Sequence, residues 1–273
     1  MKQKGVVIFA YNNSRRLYYN MALACAKRVK HFLNLPVTLI TGNVTFKNAT
    51  EKEVFDEIII QDPDKSNYKD GVEWINKGRF KVWELTPYYE TLLLDVDYVV
   101  NSDQLLKLFD LYDDFMFHNS TSFLMDPNAP QEFLSERGFK LLWATVIIFK
   151  KNKNARHLFQ VIEMIQNNFE HYANLHNFIG GMYRNDYALT LAARILNGHL
   201  ENQSSYIPWN LVHIGKNTRV IHTKENYNKI KDTDYVVEYD AWKRGKVKKE
   251  YITIKDMDFH MLNKENFDRL FVV

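Results

Sequence analysis

Apolar residues fall into short unbroken runs separated by stretches of helical spacing. Gly5–Ala10 is a continuous apolar, β-branched run, the pattern of a strand buried on both faces of a parallel sheet. Across Arg16–Phe32, Leu17, Met21, Ala24, Cys25 and Phe32 recur close to helical spacing. Val37–Thr41, closed by Gly42-Asn43, and Glu57–Ile60 repeat the strand pattern. Strand, helix, strand, strand is how a doubly wound α/β fold opens. The expected fold class is therefore α/β, with a mostly parallel central sheet flanked by helices.

Further along, polar Ser66–Lys77 predicts a loop with a short helix, and Gly78–Leu85 a helix stopped by Pro87. Thr91–Leu94 is a strongly apolar strand that runs into Asp95-Val96-Asp97, and Tyr98–Val100 resumes strand character. Ser102 is placed to cap a helix carrying Leu105, Leu106 and Phe109 on one face. Phe115–Phe117 and Leu141–Phe149 predict strands, with a Ser-, Pro- and Asp-rich loop at Ser120–Gly138 between them. A helix starting at Asn154 aligns Leu158, Ile162, Ile165 and Phe169. A second, Asp186–Leu196, stops at Asn197-Gly198. Beyond it the periodicity weakens. Tyr235–Tyr239 and Glu250–Ile254 predict strands around a basic turn, Trp242–Lys249. With no repeat and no linker, the chain is expected to form one domain over 1–273.

Composition narrows the class. A hydrophobic content of 46% and a charged content of 25% exclude a disordered chain. The net charge of +3 is too small to imply a nucleic-acid partner by itself. Cys25 is the single cysteine, set in an apolar run, so it reads as a core residue and no intramolecular disulfide forms. The first apolar run is shorter than the roughly 7–15 residues of a signal-peptide core, and no stretch reaches the roughly 18 of a membrane span. A soluble, cytoplasmic protein with no membrane span is the expectation.

Chemistry concentrates at Thr91-Leu-Leu-Leu-Asp95-Val-Asp97. Two carboxylates two residues apart at a strand end project to the same side. The carboxyl ends of strands are where open α/β sheets bind ligands. Two hard oxygen donors there suit Mg²⁺ or Mn²⁺ shared with a diphosphate.

With this motif the sequence resembles the GT-A glycosyltransferases, in particular the glycogenin and retaining galactosyltransferase family. The match is one of motif order and runs loosely over most of the chain. The resemblance implies a Rossmann-like nucleotide-diphospho-sugar transferase domain, with a nucleotide-sugar-binding half at 1–110 and an acceptor-binding half at 111–273. It implies that Tyr11 and Asn12, after the first strand, hold the base and ribose, and that Arg79 or Lys81 lies near the donor phosphates. Asp95 and Asp97 would hold the metal, with Asp95 also reaching the ribose. His260, in Asp258-Phe-His260-Met-Leu-Asn263-Lys264, would complete the metal shell, and Lys264 would touch phosphate. Here Met261 replaces an aromatic, Asn263 replaces a glycine and Lys264 comes early. His213, in His213-Ile-Gly-Lys216, and His222 compete for the same role.

Trp143-Ala144-Thr145 stands where the family has Asn-Ser-Gly, which implies a remodelled acceptor side. Asp186 matches the family's acidic helix start and is the candidate general base if the reaction inverts. Gly180-Gly181 just before it lets a loop approach a ligand. The implied activity is metal-dependent transfer of a sugar from a nucleoside-diphosphate sugar, a UDP-sugar first, to a hydroxyl acceptor.

From Lys216 to Lys255 there are eleven Lys or Arg against six Asp or Glu, with Tyr and Trp interleaved. This pattern suits a polyanion or a solvated hairpin tip. The Lys-, Asn- and Tyr-rich composition is similar to that of phage-encoded enzymes, which adds DNA with a modified base to glycans as an acceptor class. The rivals are a sugar nucleotidyltransferase and a non-catalytic GT-A-like binding protein. The first expects a glycine-rich loop where Ala10-Tyr11-Asn12-Asn13-Ser14 stands.

Overall fold

The computed structural model describes residues 2–42, 52–62, 67–69, 72–75, 77–126, 129–136, 138–178, 182–222, 234–243 and 245–272. Its strands are β1 (Lys2–Phe9), β2 (Val37–Thr41), β3 (Glu57–Ile60), β4 (Asn67–Lys69), β5 (Val72–Trp74), β6 (Tyr88–Leu94), β7 (Tyr98–Val99), β8 (Phe115–His118), β9 (Thr121–Phe123), β10 (Trp143–Lys150), β11 (Leu211–Ile214), β12 (Arg219–His222), β13 (Tyr235–Lys243), β14 (Lys246–Ile254) and β15 (Phe259–Met261).

Six of them form the central sheet in the order β3-β2-β1-β6-β10-β8. β3, β2, β1 and β6 run parallel, and β10 is antiparallel to both its neighbours. The sheet is mostly parallel and helices flank it, as the opening pattern requires. Val6, Val7, Ile8, Leu39, Ile40, Leu92 and Leu93 are essentially solvent-free, because parallel strands carry apolar side chains on both faces. Gly5 sits beneath the ring of Tyr88, and a methyl group there would overlap it. The Tyr88 hydroxyl in turn accepts a hydrogen bond from Thr38 Oγ1 at 2.8 Å.

A second sheet, β7-β15-β11-β9, lies beyond the end of β6. The chain leaves the first sheet at Leu94 and enters the second at Tyr98, so Asp95-Val96-Asp97 is the crossing between them. Asp95 N donates to Thr145 O at 2.9 Å on one side, and Met261 N donates to Asp97 O at 3.0 Å on the other. Buried Arg28, on the helix Tyr18–Leu33, ties the second sheet to the C-terminus. It donates to Val100 O at 2.6 Å and to the Tyr235 hydroxyl at 2.9 Å, with Phe32 and Phe271 against its guanidinium.

Several expectations are adjusted. Within Ser66–Lys77 the described residues form the two short strands β4 and β5, and Lys77–Lys81 is a 3-10 turn leading into the helix Val82–Leu85. The loop Ser120–Gly138 contains β9. The helix expected from Asn154 spans Lys153–Asn167, with Asn152 Oδ1 accepting from Ala155 N at 3.0 Å, and Phe169 opens a separate helix, Phe169–His176. The basic turn is narrower than expected, because β13 and β14 extend to Lys243 and from Lys246. Among the described residues no helix is long and apolar enough to cross a membrane.

Candidate functional site

A cleft of about 440 Å³ opens at the carboxyl end of β6, where the two sheets meet. Asp95, Asp97 and His260 line it, and one ligand atom from each lies within 4.8 Å of the others. Backbone pairing brings His260 to the aspartates: β15 runs antiparallel to β7, with His260 opposite Tyr98. His260 Nε2 then faces Asp97 Oδ2 at 3.2 Å. Two ligands at right angles on an ion with bonds of about 2.1 Å stand about 3.0 Å apart, so this spacing fits a shared divalent cation. Val96, between the carboxylates, is mostly buried and also lines the cleft.

Cations balance the carboxylates. Asp97, only 4% exposed, takes the Lys264 ammonium on Oδ2, and Asp95 Oδ1 takes Arg79 Nη1 at 2.7 Å. Burial alone would raise the Asp97 pKa, but Lys264 and His260 outweigh it and hold the carboxyl well below the usual range. Asp95 is raised, chiefly by burial; Arg79 opposes this and the neighbouring Asp97 charge adds to it. Arg79 Nη2 is buried with no hydrogen-bond partner among the described residues, a donor available to a further oxygen.

The other candidates divide. Tyr11, Tyr18 and Phe9 line the cleft. Asn12 is not among the lining residues; its Oδ1 accepts from Tyr19 N at 2.9 Å at the entry to the first helix. Lys81 is not among the lining residues. In a 3-10 turn only residues three apart share a face, so Arg79 and Lys81 cannot both point inward.

Also lining the cleft is Asp186, whose Oδ1 accepts from Ala144 N at 2.9 Å and whose Oδ2 takes Arg184 Nη2 at 2.9 Å. Arg184 packs 5.6 Å from the Trp143 ring. The register of β10 against β8 shifts between Trp143 and Ile147, the kind of bulge that re-aims residues at a site rim. Lys216 and Glu132 also line the cleft. The sequence reading assigned them no role; Lys216 could have been taken from His213-Ile-Gly-Lys216, whereas Glu132 has no motif around it.

His213 is wholly buried beside Trp143, ring centroids 4.6 Å apart. Burial, with the His260 and His118 charges adding, pushes its pKa down to about 2. The side chain of His222 and residues Gly180 and Gly181 lie outside the described residues. On the basic hairpin, Lys249 is neutralised by Asp240 at 2.6 Å, while Lys246 and Lys248 are exposed.

No protein-family model and no curated protein matches the chain. Solved structures do. The apo-form glycosyltransferase GlyE of Streptococcus pneumoniae TIGR4 is 14% identical with a TM-score of 0.46, over 76% of this chain and 45% of that one. The galactosyltransferase LgtC in complex with donor and acceptor sugar analogs is 14% identical with a TM-score of 0.46, over 69% of each chain. Mouse xyloside xylosyltransferase 1 is 10% identical with a TM-score of 0.44, over 76% of this chain and 85% of that one. Each of the three is a glycosyltransferase. The chain spans under half the length of GlyE.

Proposed function

We propose that the chain is a GT-A glycosyltransferase that moves a sugar from a nucleoside-diphosphate sugar to a hydroxyl acceptor, with a divalent metal at Asp95, Asp97 and His260. The observation that carries this reading is the cluster of two carboxylates and an imidazole in a cleft that also presents Arg79, Lys216 and Lys264. The charged lining residues are Arg79, Arg184, Lys216 and Lys264 against Asp95, Asp97, Glu132 and Asp186, four against four and so neutral in sum. A divalent ion would tip that sum to match a doubly charged diphosphate.

Bound between Asp95, Asp97 and His260, Mn²⁺ or Mg²⁺ would supply Lewis-acid neutralisation of the departing diphosphate. Around it, Arg79 Nη2, which has no partner among the described residues, would donate to a phosphate oxygen, and Lys264 and Lys216 would add positive charge. Tyr11 and Tyr18 give aromatic surface for the base, with uracil the first choice. Trp143, Arg184 and Asp186 form the acceptor end. In the transfer, the anomeric carbon bonds to the acceptor oxygen, its bond to the diphosphate oxygen breaks, and the acceptor proton leaves to a base. Arg184 occupies Asp186 Oδ2 through both Nε and Nη2, whereas Oδ1 accepts the Ala144 amide and keeps a second lone pair that can take that proton. The acceptor classes to test are glycans and DNA carrying a hydroxylated base.

The test is release of nucleoside diphosphate from a panel of nucleotide-sugars, with and without Mn²⁺, for wild type and Asp95→Asn. Slow metal-dependent hydrolysis of one donor, lost in the variant, supports the reading. Binding of the donor with no turnover on any acceptor favours a non-catalytic binding protein, and formation of a nucleotide-sugar from a sugar phosphate and a nucleoside triphosphate favours a nucleotidyltransferase.

A further inference from the structure

A second histidine, His213, lies against His260 but does not itself line the cleft. His213 on β11 and His260 on β15 are a register pair of parallel strands, with ring centroids 5.0 Å apart. Their Nδ1 atoms face each other at 3.1 Å. Two ring nitrogens at that distance share a single proton, so one ring donates and the other accepts. The opposite nitrogen of His260, Nε2, faces Asp97 Oδ2 at 3.2 Å.

A nitrogen that ligates a metal must present a lone pair, which leaves the imidazole proton on the other nitrogen. For His260 that other nitrogen is Nδ1, aimed at His213. His213 must then accept at its own Nδ1 and carry its proton on Nε2. This leaves the His213 Nε2–H buried without a partner among the described residues, a cost that ligation of the ion by His260 must offset. The ring cannot swing away, packed between Trp143 at 4.6 Å and Phe123 at 5.3 Å.

We propose that His213 is the positioning residue of the metal site: by accepting a hydrogen bond from His260 Nδ1–H, it holds His260 in the tautomer and orientation that present Nε2 to the ion. This inference rests on the reading of Asp95, Asp97 and His260 as a metal site. It differs from the motif reading, in which His213 and His260 are alternatives for one position. Ligand histidines are usually oriented by a carboxylate or a backbone carbonyl; here a second imidazole does the same work.

The experiment is Mn²⁺ binding by the full chain, followed by electron paramagnetic resonance, for wild type, His260→Ala, His213→Phe and His213→Asn. Phe keeps ring bulk but accepts nothing, whereas the Asn Oδ1 occupies the place of Nδ1 and accepts. Loss of such an outer partner typically weakens metal binding by about 10–100-fold, and that is expected for His213→Phe. The electron-spin-echo modulation from the coordinated imidazole nitrogen should fade with it, and His213→Asn should restore both. Wild-type affinity and intact nitrogen modulation in His213→Phe, or an Asn variant as weak as Phe, would overturn the proposal.

Should His213→Phe fail to fold, nitrogen-15 spectra of the Cd²⁺-loaded wild type decide the matter. A proton on His213 Nε2 is expected, and one on His213 Nδ1 overturns the idea. If wild type binds Mn²⁺ with no dependence on Asp97 or His260, the metal reading itself has failed and this inference falls with it.

Discussion

Lys264→Met gives a prediction with two effects of opposite sign. The Lys264 ammonium rests on Asp97, a carboxylate 4% exposed, and with His260 it holds that carboxyl ionised. Removing one partner of a buried pair costs about 3–5 kcal/mol. Two features reduce the figure here: the Lys264 side chain is 25% exposed, and His260 still faces Asp97 at 3.2 Å. We therefore expect a loss of about 1.5–3 kcal/mol of folding stability without metal. Met keeps the apolar stem, so the loss reports the charge. The same ammonium competes with a metal for Asp97. With the competitor gone, Mn²⁺ binding should tighten by about 10–100-fold, since about 1.4 kcal/mol is tenfold in affinity. Turnover should fall, because a cation near the phosphates is lost. Urea denaturation and a Mn²⁺ titration in one buffer read both effects. Unchanged stability, or Mn²⁺ binding that weakens in the variant, would refute the reasoning.

Three further outcomes are expected. Arg79→Met removes both the partner of Asp95 and the free Nη2 donor, so kcat/KM for the nucleotide-sugar should drop by about 10²–10³, comparable to loss of one preorganised donor; a drop under tenfold contradicts the role. Gly5→Ala overlaps the Tyr88 ring in the middle of the sheet and should cost about 1–3 kcal/mol in urea denaturation. His118, buried with Nδ1 against Trp209 O at 3.0 Å, has its pKa pushed down to about 4 by burial, against the helping carbonyl. A histidine with a lowered folded value contributes stability that is present above about 6.5 and is lost as pH falls towards 4. Between pH 6.5 and 5 that loss is about 1.6 kcal/mol. His118→Asn should flatten this part of the stability profile, and an unaltered slope would assign the acid sensitivity elsewhere.

The parallel strands were legible because each buried strand must be apolar on both faces, and Val6–Ile8 and Leu92–Leu94 are nothing else. Asp95 and Asp97 were legible because they end such a run. The second sheet was less so. β9 and β11 are three and four residues long, interleave polar positions and pair with partners far away in sequence, so no local period announces them. The choice between His213 and His260 was hidden for the same reason. Only the register of β15 against β7 shows that His260 meets Asp97, and only the register of β11 against β15 shows that His213 stands behind it. Asn12 and Lys81 illustrate the converse. Their residue types suit ligand binding, but neither lines the cleft: Asn12 Oδ1 accepts the Tyr19 amide, and the pitch of a 3-10 turn sets Lys81 on a different face from Arg79.

The most direct test of the central claim is calorimetric titration of wild type and Asp97→Asn with UDP, in Mn²⁺ and in EDTA. The account predicts saturable binding in Mn²⁺ that weakens severely in EDTA and in the variant, with the variant still folded by circular dichroism. Binding of equal strength in all conditions, or no binding of UDP or any other nucleoside diphosphate in Mn²⁺, would contradict a metal-diphosphate site at Asp95, Asp97 and His260.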